Sequence, residues 1–470
     1  MFKNTTQCIK EVAEKILGKR KEEKNRNISF VDDTLKEMSE RQRQIRLDIL
    51  SNIKMNVKKR RELKTERSRI LKRMRQRVKT LRSEEIREKV EYLNTLKDCA
   101  KQFEAIKMIS GSQLRKTAKL IVHDDKGKNI CDDQEAATFV RTHFESLFSC
   151  KSMQPIPAFE NQAKPLDNPI SSGEVFEAIK KLKNGKACGL DGIAAELLKA
   201  GPPELADLLA NVINRSLSYN EELELGLGLL ITLQKPGKPV GPVKNIRPIV
   251  LLPILRKLLS LITLARIRHK INSYLSLSQS AYRSGRSTAD VVWAHRWLIA
   301  KAMKYKDIIH ILGLDMSRAF DTIDRHKLLC IIQKIDGIQE DEMRMIKVLL
   351  SNTSLKVRFN GIVTDAFNSN IGSPQGDALS PILFAIYLEH ALRLLRGQVQ
   401  RPQADLEAAV PGELIYADDT DFISLDKSFI NDILNVVGSV FGELIIIVNT
   451  DKTEHTIKGH NDVIKNQEAW

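Results

Sequence analysis

The sequence has few cysteines. Cys8, Cys99, Cys131, Cys150, Cys188 and Cys330 are scattered through 470 residues, and no two form a C-x-x-C pair. Zinc sites and a disulfide framework are therefore not expected, and a reducing compartment fits. Long apolar runs are missing too. The best candidate, residues 251–267, is broken by Arg256, Lys257 and Arg266, so no membrane partner is expected. The N-terminus begins Met-Phe-Lys-Asn-Thr-Thr and lacks the apolar core of a signal peptide, so secretion is not expected. Residues 1–110 hold no proline and one glycine, Gly18, which leaves long helices free to form.

What is present is positive charge. The net charge is +16, which points to polyanionic partners. The first 100 residues carry 29 Lys/Arg against 16 Asp/Glu, so +13 of the total sits there. Residues 54–82 hold 14 basic side chains against Glu62 and Glu66. Ile70, Met74, Val78 and Leu81 recur at helical spacing, as do Ile86, Val90 and Leu93. The reading is long helices, as a hairpin or coiled coil that could also self-associate. Lys58, Lys59, Arg60, Arg61, Arg73, Arg75 and Arg77 are its candidate phosphate contacts. Lys58 to Arg61 also forms an import-type cluster, so a cytoplasmic ribonucleoprotein, a nuclear location or both are expected.

A small hairpin is expected over Leu120–Ile130, and a helix from Asp133 with Ala136, Val140 and Phe144 on one face. Pro155, Pro157, Pro165 and Pro169 mark a linker and a domain boundary. Ser171-Ser172-Gly173-Glu174 is a capping-box signature that opens the next helix.

The chemistry centres on Leu414-Ile415-Tyr416-Ala417-Asp418-Asp419-Thr420-Asp421-Phe422-Ile423. Two short β-prone runs flank adjacent acids, which reads as a tight hairpin with the acids at its tip. Upstream, Ile308 to Leu314 reads as a buried strand that delivers Asp315 at its end. Between them, the Gly/Pro/Ser loop Gly372–Pro381 leads into a buried helix. A strand-end acid facing an acid pair can hold two Mg²⁺ ions for in-line phosphoryl transfer.

In this order, strand-Asp315, then Ser373-Pro374-Gln375-Gly376, then Tyr416-Ala417-Asp418-Asp419 resemble the palm of a reverse transcriptase. Leu314 to Asp321 and Gly372 to Gly376 are similar to the non-LTR (LINE-type) retrotransposon branch, over residues 170–456. Lys183 to Gly192 resembles that branch's first fingers motif, with Cys188 where proline is usual. It is not a P-loop, because no Gly-Lys-Ser/Thr closes it.

The resemblance implies an α+β right-hand fold: a palm of antiparallel sheet flanked by helices, interleaved fingers, and the basic helical extension. The expected divisions are 1–110 for the extension, 111–165 for the hairpin, helix and linker, and 166–310 for fingers and first palm elements. The palm follows at 311–456 and a tail at 457–470. The implied reaction is RNA-directed DNA polymerisation with an RNA template, a DNA primer and dNTP. Asp315 and Asp418 would ligate both Mg²⁺ ions (or Mn²⁺ in their place), with Asp419 completing the site. Phe320 would collide with a ribose 2′-OH and select deoxynucleotides, and Gln375 and Gly376 would lie against the nascent base pair.

Ile231–Lys238 and Asn245–Ile249 look like the fingers strands. Arg247 would grip the triphosphate, with Lys235, Lys238 or Lys244 as its partner. Arg283 and Arg286, in Gln279 to Thr288, would touch the template backbone or hold their own loop. Lys452 would steady the pyrophosphate. Asp321 and Asp324 read as helix-start acids or ion-pair members. Only sixteen residues follow Glu454, so a chain truncated before the thumb, without the endonuclease and of low processivity, is expected. Two alternatives stand beside the polymerase: a non-catalytic nucleic-acid-binding remnant, and an RNA-making palm enzyme or maturase, against which Phe320 argues.

Overall fold

The computed structural model describes residues 2–17, 32–51, 56–95, 119–124, 126–150, 153–156, 164–219, 225–374, 376–459 and 468–469. Two compact units emerge: residues 19–119 form one, and residues 1–18 with 120–470 form the other. The expected division at residue 110, with everything before it one extension, is corrected on one point. Helix α1 (Phe2–Leu17) belongs to the larger unit, where Ile9 packs against the main core. Charge alone hid that apolar contact.

In the smaller unit, α2 (Asp33–Ser51) and α3 (Val57–Thr95) pack together as the expected helical hairpin. Leu35 and Ile45 bury their side chains. Arg41 to Glu66 at 2.9 Å and Arg77 to Asp32 at 2.8 Å cross-link the hairpin.

The larger unit continues with α4 (Asp133–Phe148), α5 (Ser172–Lys181), α6 (Ala195–Lys199) and α7 (Glu204–Tyr219). Asp132 caps α4, and Ser171 and Glu174 close the predicted capping box on α5. Strands β1 (Leu227–Gln234) and β2 (Ile246–Leu251) pair antiparallel, and β1 runs parallel to β5 (Thr353–Phe359). Short β6 (Ile362–Val363) and β7 (Phe367–Ser369) complete this fingers sheet beside β5.

The proline-marked boundary is not a break in packing. Val122 and the α4 residues Val140 and Phe144 share one core with Leu230, Val250 and Val357 of the fingers sheet. The expected hairpin over 120–130 is short: His123 bridges Asn129, and the Ile130 and Asp124 N–H groups donate to the Val122 and Lys128 carbonyls, each at 2.9 Å.

The palm sheet runs β8 (Glu413–Tyr416), β9 (Asp419–Ser424), β3 (Ile308–Leu314), β11 (Glu454–Gly459) and β12 (Glu468–Ala469), antiparallel throughout. Side chains alternate between its faces. Leu312, Leu314 and Phe422 enter the main core, shared with α8 (Ile254–Tyr274), α10 (Arg325–Gln333), α11 (Glu340–Leu350), α12 (Ser380–Gln398) and α14 (Lys427–Glu443). On the opposite face Ile309, Ile311 and Ile423 pack under Leu298 and Ala302 of α9 (Thr288–Tyr305). Helix α13 (Gln403–Glu407) precedes β8, and β4 (Met316–Ser317) pairs with β10 (Ile447–Val448) just past Asp315. Among the described residues no helix is long and apolar enough to cross a membrane.

Candidate active site

Strands β3 and β9 pair with Leu314 opposite Thr420. One step further along this antiparallel register, Asp315 stands level with Asp419. Strands β8 and β9 are joined by a two-residue turn, Ala417-Asp418, across which Tyr416 faces Asp419. Ala417 takes the left-handed conformation at φ +61°. The turn puts Asp418 at the tip and Asp419 at the first strand position, so the adjacent acids escape the opposite-face alternation of a straight strand. Asp419, Asp421 and Ile423 then share the α9 face. Gly313 leaves room there: a Cβ on it would meet the Asp421 Oδ1 at 3.0 Å. His295 of α9 lies 2.8 Å from the other Asp421 oxygen.

Asp315 is tightly held. The Asn449 backbone N–H donates to its carbonyl at 2.8 Å, and the Asn449 amide donates to its Oδ2 at 2.8 Å. The Lys452 ammonium sits 3.2 and 3.4 Å from the two carboxylate oxygens. Lys452 therefore faces the Asp315 carboxylate. Burial pushes the Asp419 carboxyl up from its ordinary value, and Asp418, Asp421 and Asp315 push it the same way against Lys452. Such crowding of like charges is what a bound cation relieves. The donor set of hard carboxylate oxygens suits Mg²⁺. Among the described residues, however, no three His, Cys, Asp or Glu side chains already converge as a metal cage.

Loop 372–380 is built against the Asp315 segment. The Gly372 N–H donates to the Ile323 carbonyl at 2.8 Å, and the Ser373 N–H to Phe320 at 2.9 Å. Gly372 has φ +72°, and a Cβ would strike the Asp321 carbonyl at 2.8 Å. Two buried arginines clamp the loop. Arg325 donates to the carbonyls of Gly372, Ile371, Ser369 and Leu350. Arg256 pairs with Asp377 at 2.9 Å. Phe320 leans on the Phe384 ring, centroids 4.7 Å apart. Gly376, at φ +111°, approaches the fingers strand so closely that a Cβ would lie 3.0 Å from the Val250 carbonyl. Gln375 lies outside the described residues. Asp324 caps α10 by accepting from the His326 and Lys327 N–H groups, as its position suggested.

On the fingers, exposed Arg247 stands opposite Leu233 across β1–β2. Burial and the guanidiniums of Arg247 and Arg318 hold the Lys235 ammonium below its ordinary value, with Asp321 opposing. Lys235 thus lies within electrostatic reach of Arg247 and Arg318, and its ammonium donates to the Lys244 carbonyl at 2.7 Å. Arg283 and Arg286 turn inward. Arg283 donates to Asn272, Ser276 and Gln279, and Arg286 to Leu277 and Gln279. Holding their loop is the role this geometry supports. In the smaller unit Lys58, Lys59, Arg60, Arg61, Arg73 and Arg75 are exposed on α3, while Arg77 is half-buried against Asp32.

The sequence profile described as reverse transcriptase (RNA-dependent DNA polymerase) matches residues 233–467. A probable RNA-directed DNA polymerase from transposon X-element of Drosophila melanogaster is 28% identical over 249 residues, covering 51% of this chain and 27% of its own length. The corresponding protein from transposon BS of the same fly is 25% identical over 268 residues, covering 54% and 29%. Among solved structures, apo telomerase from Candida tropicalis truncated from its C-terminal domain aligns over 50% of this chain and 51% of its own at 18% identity, with a TM-score of 0.37. The chain thus spans between a quarter and a third of the length of these curated relatives. The profile match agrees with the motif order and with the register that sets Asp315 level with Asp419: the chain belongs to the reverse transcriptase (RNA-dependent DNA polymerase) family.

Proposed function

We propose that this chain is the polymerase portion of a non-LTR retrotransposon protein, adding deoxynucleotides to a primer 3′-hydroxyl on an RNA template. The observation that carries the reading is the register that sets Asp315 beside the Asp418–Asp419 turn. Asp315, Asp418 and Asp419 would hold two Mg²⁺ ions, with Mn²⁺ as a substitute. When bound, these ions lower the pKa of the attacking hydroxyl and neutralise the leaving pyrophosphate.

The chain's own residues do the rest. Lys235, Arg247 and Arg318 bind the triphosphate, Arg247 as a planar fork and Lys235 as a point charge. Phe320, braced by Phe384, fills the space of a ribose 2′-OH. Gly376 lets the loop backbone approach the new base pair. Asn449 keeps the Asp315 carboxylate aimed, and the Lys452 ammonium lies against it. The exposed cations of α3 bind RNA or DNA phosphates, as expected of a ribonucleoprotein in the cytoplasm or nucleus.

Primer extension on poly-rA with Mg²⁺, wild type against Asp418→Asn, tests the reading. The wild type is expected to extend and the variant to lose extension by at least about 100-fold, the cost of a failed metal-stabilised transition state. Equal extension by both proteins would remove Asp418 from the chemistry. Phe320→Ala is expected to admit ribonucleotides, scored in the same assay. An unchanged ribonucleotide-to-deoxynucleotide ratio would defeat the gate.

A further inference from the structure

The turn that carries Asp418 is gripped by a side chain 138 residues away. Gln279 lies in the loop between α8 and α9 and is only 2% exposed. Its Oε1 accepts from the Ala417 N–H at 3.1 Å and from the Ala281 N–H at 2.9 Å. Its Nε2 donates to the Ala417 carbonyl at 3.3 Å. The two N–H groups on one side and the carbonyl on the other fix which end of the amide is which. One side chain therefore holds both peptide groups of Ala417, and the second of these is the peptide that leads into Asp418.

The held residue needs holding. Ala417 sits at φ +61°, a conformation that L-residues other than glycine rarely keep unaided. The backbone around the clamp is fixed as well. The Ser280 N–H donates to the Ile415 carbonyl at 2.9 Å, and the Ile415 N–H donates to the Ser278 carbonyl at 3.1 Å. Arg283 and Arg286 each donate to the Gln279 carbonyl, at 3.3 and 3.4 Å. Those arginines thus brace the residue that braces the turn. Glutamine fits this place because a carboxylate could not donate to Ala417, and asparagine is one methylene too short to reach it.

We propose that Gln279 is a positioning residue for Asp418: its amide holds Ala417 in the left-handed turn that sets the Asp418 carboxylate beside Asp315. The proposal rests on the polymerase reading for its catalytic consequence, but its structural content does not.

The test uses the full chain. Gln279→Met removes all three side-chain hydrogen bonds at similar volume. Gln279→Asn, which keeps the polarity but withdraws the amide, serves in its place if the Met variant loses exchange protection in β1 and β2 as well. Hydrogen exchange at the Ala417 amide is expected to speed up while β1 and β2 stay protected. The half-saturating Mn²⁺ concentration, measured by titration without substrate, is expected to rise. The kcat for primer extension is expected to fall about 10–100-fold, the range for residues that orient metal ligands, with KM for dNTP about unchanged. Wild-type exchange at Ala417 in the folded variant would overturn the proposal, and so would a kcat within about twofold of wild type. Should the wild type extend no primer, the polymerase reading fails by itself. Exchange and Mn²⁺ binding then decide: faster Ala417 exchange with weaker binding upholds the clamp, and unchanged values overturn it.

Discussion

The larger unit and the α2–α3 hairpin use arginine in opposite ways. In the larger unit Arg256 and Arg325 are buried, at 1% and 3% exposure, among carbonyls and one carboxylate. Burial and the neighbouring Arg256 charge push Arg325 down to about 9, which still leaves it charged at neutral pH. On α3 the basic side chains from Lys58 to Arg61, with Arg73 and Arg75, are exposed. The first pair turns every guanidinium nitrogen to the protein, and the second group leaves its donors to solvent and to whatever polyanion arrives. The surplus of charge read from composition belongs to the second group. The two cations that shape the loop beside Asp315 contribute almost nothing to that count, so net charge finds binding surfaces and misses internal scaffolding.

Breaking the buried set is expected to have the largest effect. Arg325→Met removes the guanidinium that four carbonyls share, of which the Ser369 carbonyl keeps the Thr353 hydroxyl as a donor. Each unsatisfied buried acceptor costs about 1–3 kcal/mol, partly recovered by relaxation, so a loss of about 3–5 kcal/mol is expected in denaturant unfolding. A loss below about 1 kcal/mol would mean that the loop finds other donors. The Arg256–Asp377 pair sharpens the point. Either Arg256→Met or Asp377→Leu alone leaves a buried partner uncompensated, at about 3–5 kcal/mol. The double variant is expected to cost clearly less than the sum, and strict additivity would deny the coupling.

Local signals carried the secondary structure well. The period of Ile308–Leu314, the Ser171–Glu174 box, the Asp324 cap and the hairpin around Asp418 all concern residues within a few positions of one another. What stayed hidden are side chains whose partners lie far along the chain. Gln279 reaches 138 residues to Ala417, and Asn449 reaches 134 to Asp315. Nothing in periodicity or propensity encodes such a bond. Arg283 and Arg286 were open to two readings for the same reason: a cation in a loop looks alike whether it faces a phosphate or its own backbone carbonyls. The resemblance to non-LTR polymerases supplied the expectation that Asp315 meets the Asp418–Asp419 pair, which residue patterns could not.

The exposed set is expected to behave differently when broken. Replacing Lys58, Lys59, Arg60 and Arg61 by glutamine removes four exposed cations with no tertiary partner among the described residues, so each change should shift stability by no more than about 0.5 kcal/mol. If all four neutralise duplex phosphates, the slope of log Kobs against log salt should shrink by about 3–4. An unchanged slope would show that these cations touch no phosphate.

Arg77 marks the border between the two uses, because it lies on the cationic helix yet is paired internally. The Asp32 carboxyl is held down at about 2, first by Thr34, then by the Leu35 N–H, and then by Arg77. A carboxyl that titrates lower folded than unfolded adds stability above its unfolded value near 3.8 and loses it as pH falls toward 2. The first turn of α2 should therefore lose exchange protection between about pH 4 and 2. In Asp32→Asn, which can still cap but cannot ionise, that acid step should vanish because protection at neutral pH already sits near the level the wild type reaches in acid. An acid step of the same size in the variant would assign it to other carboxylates of the hairpin and return Arg77 to the exposed, polyanion-facing set.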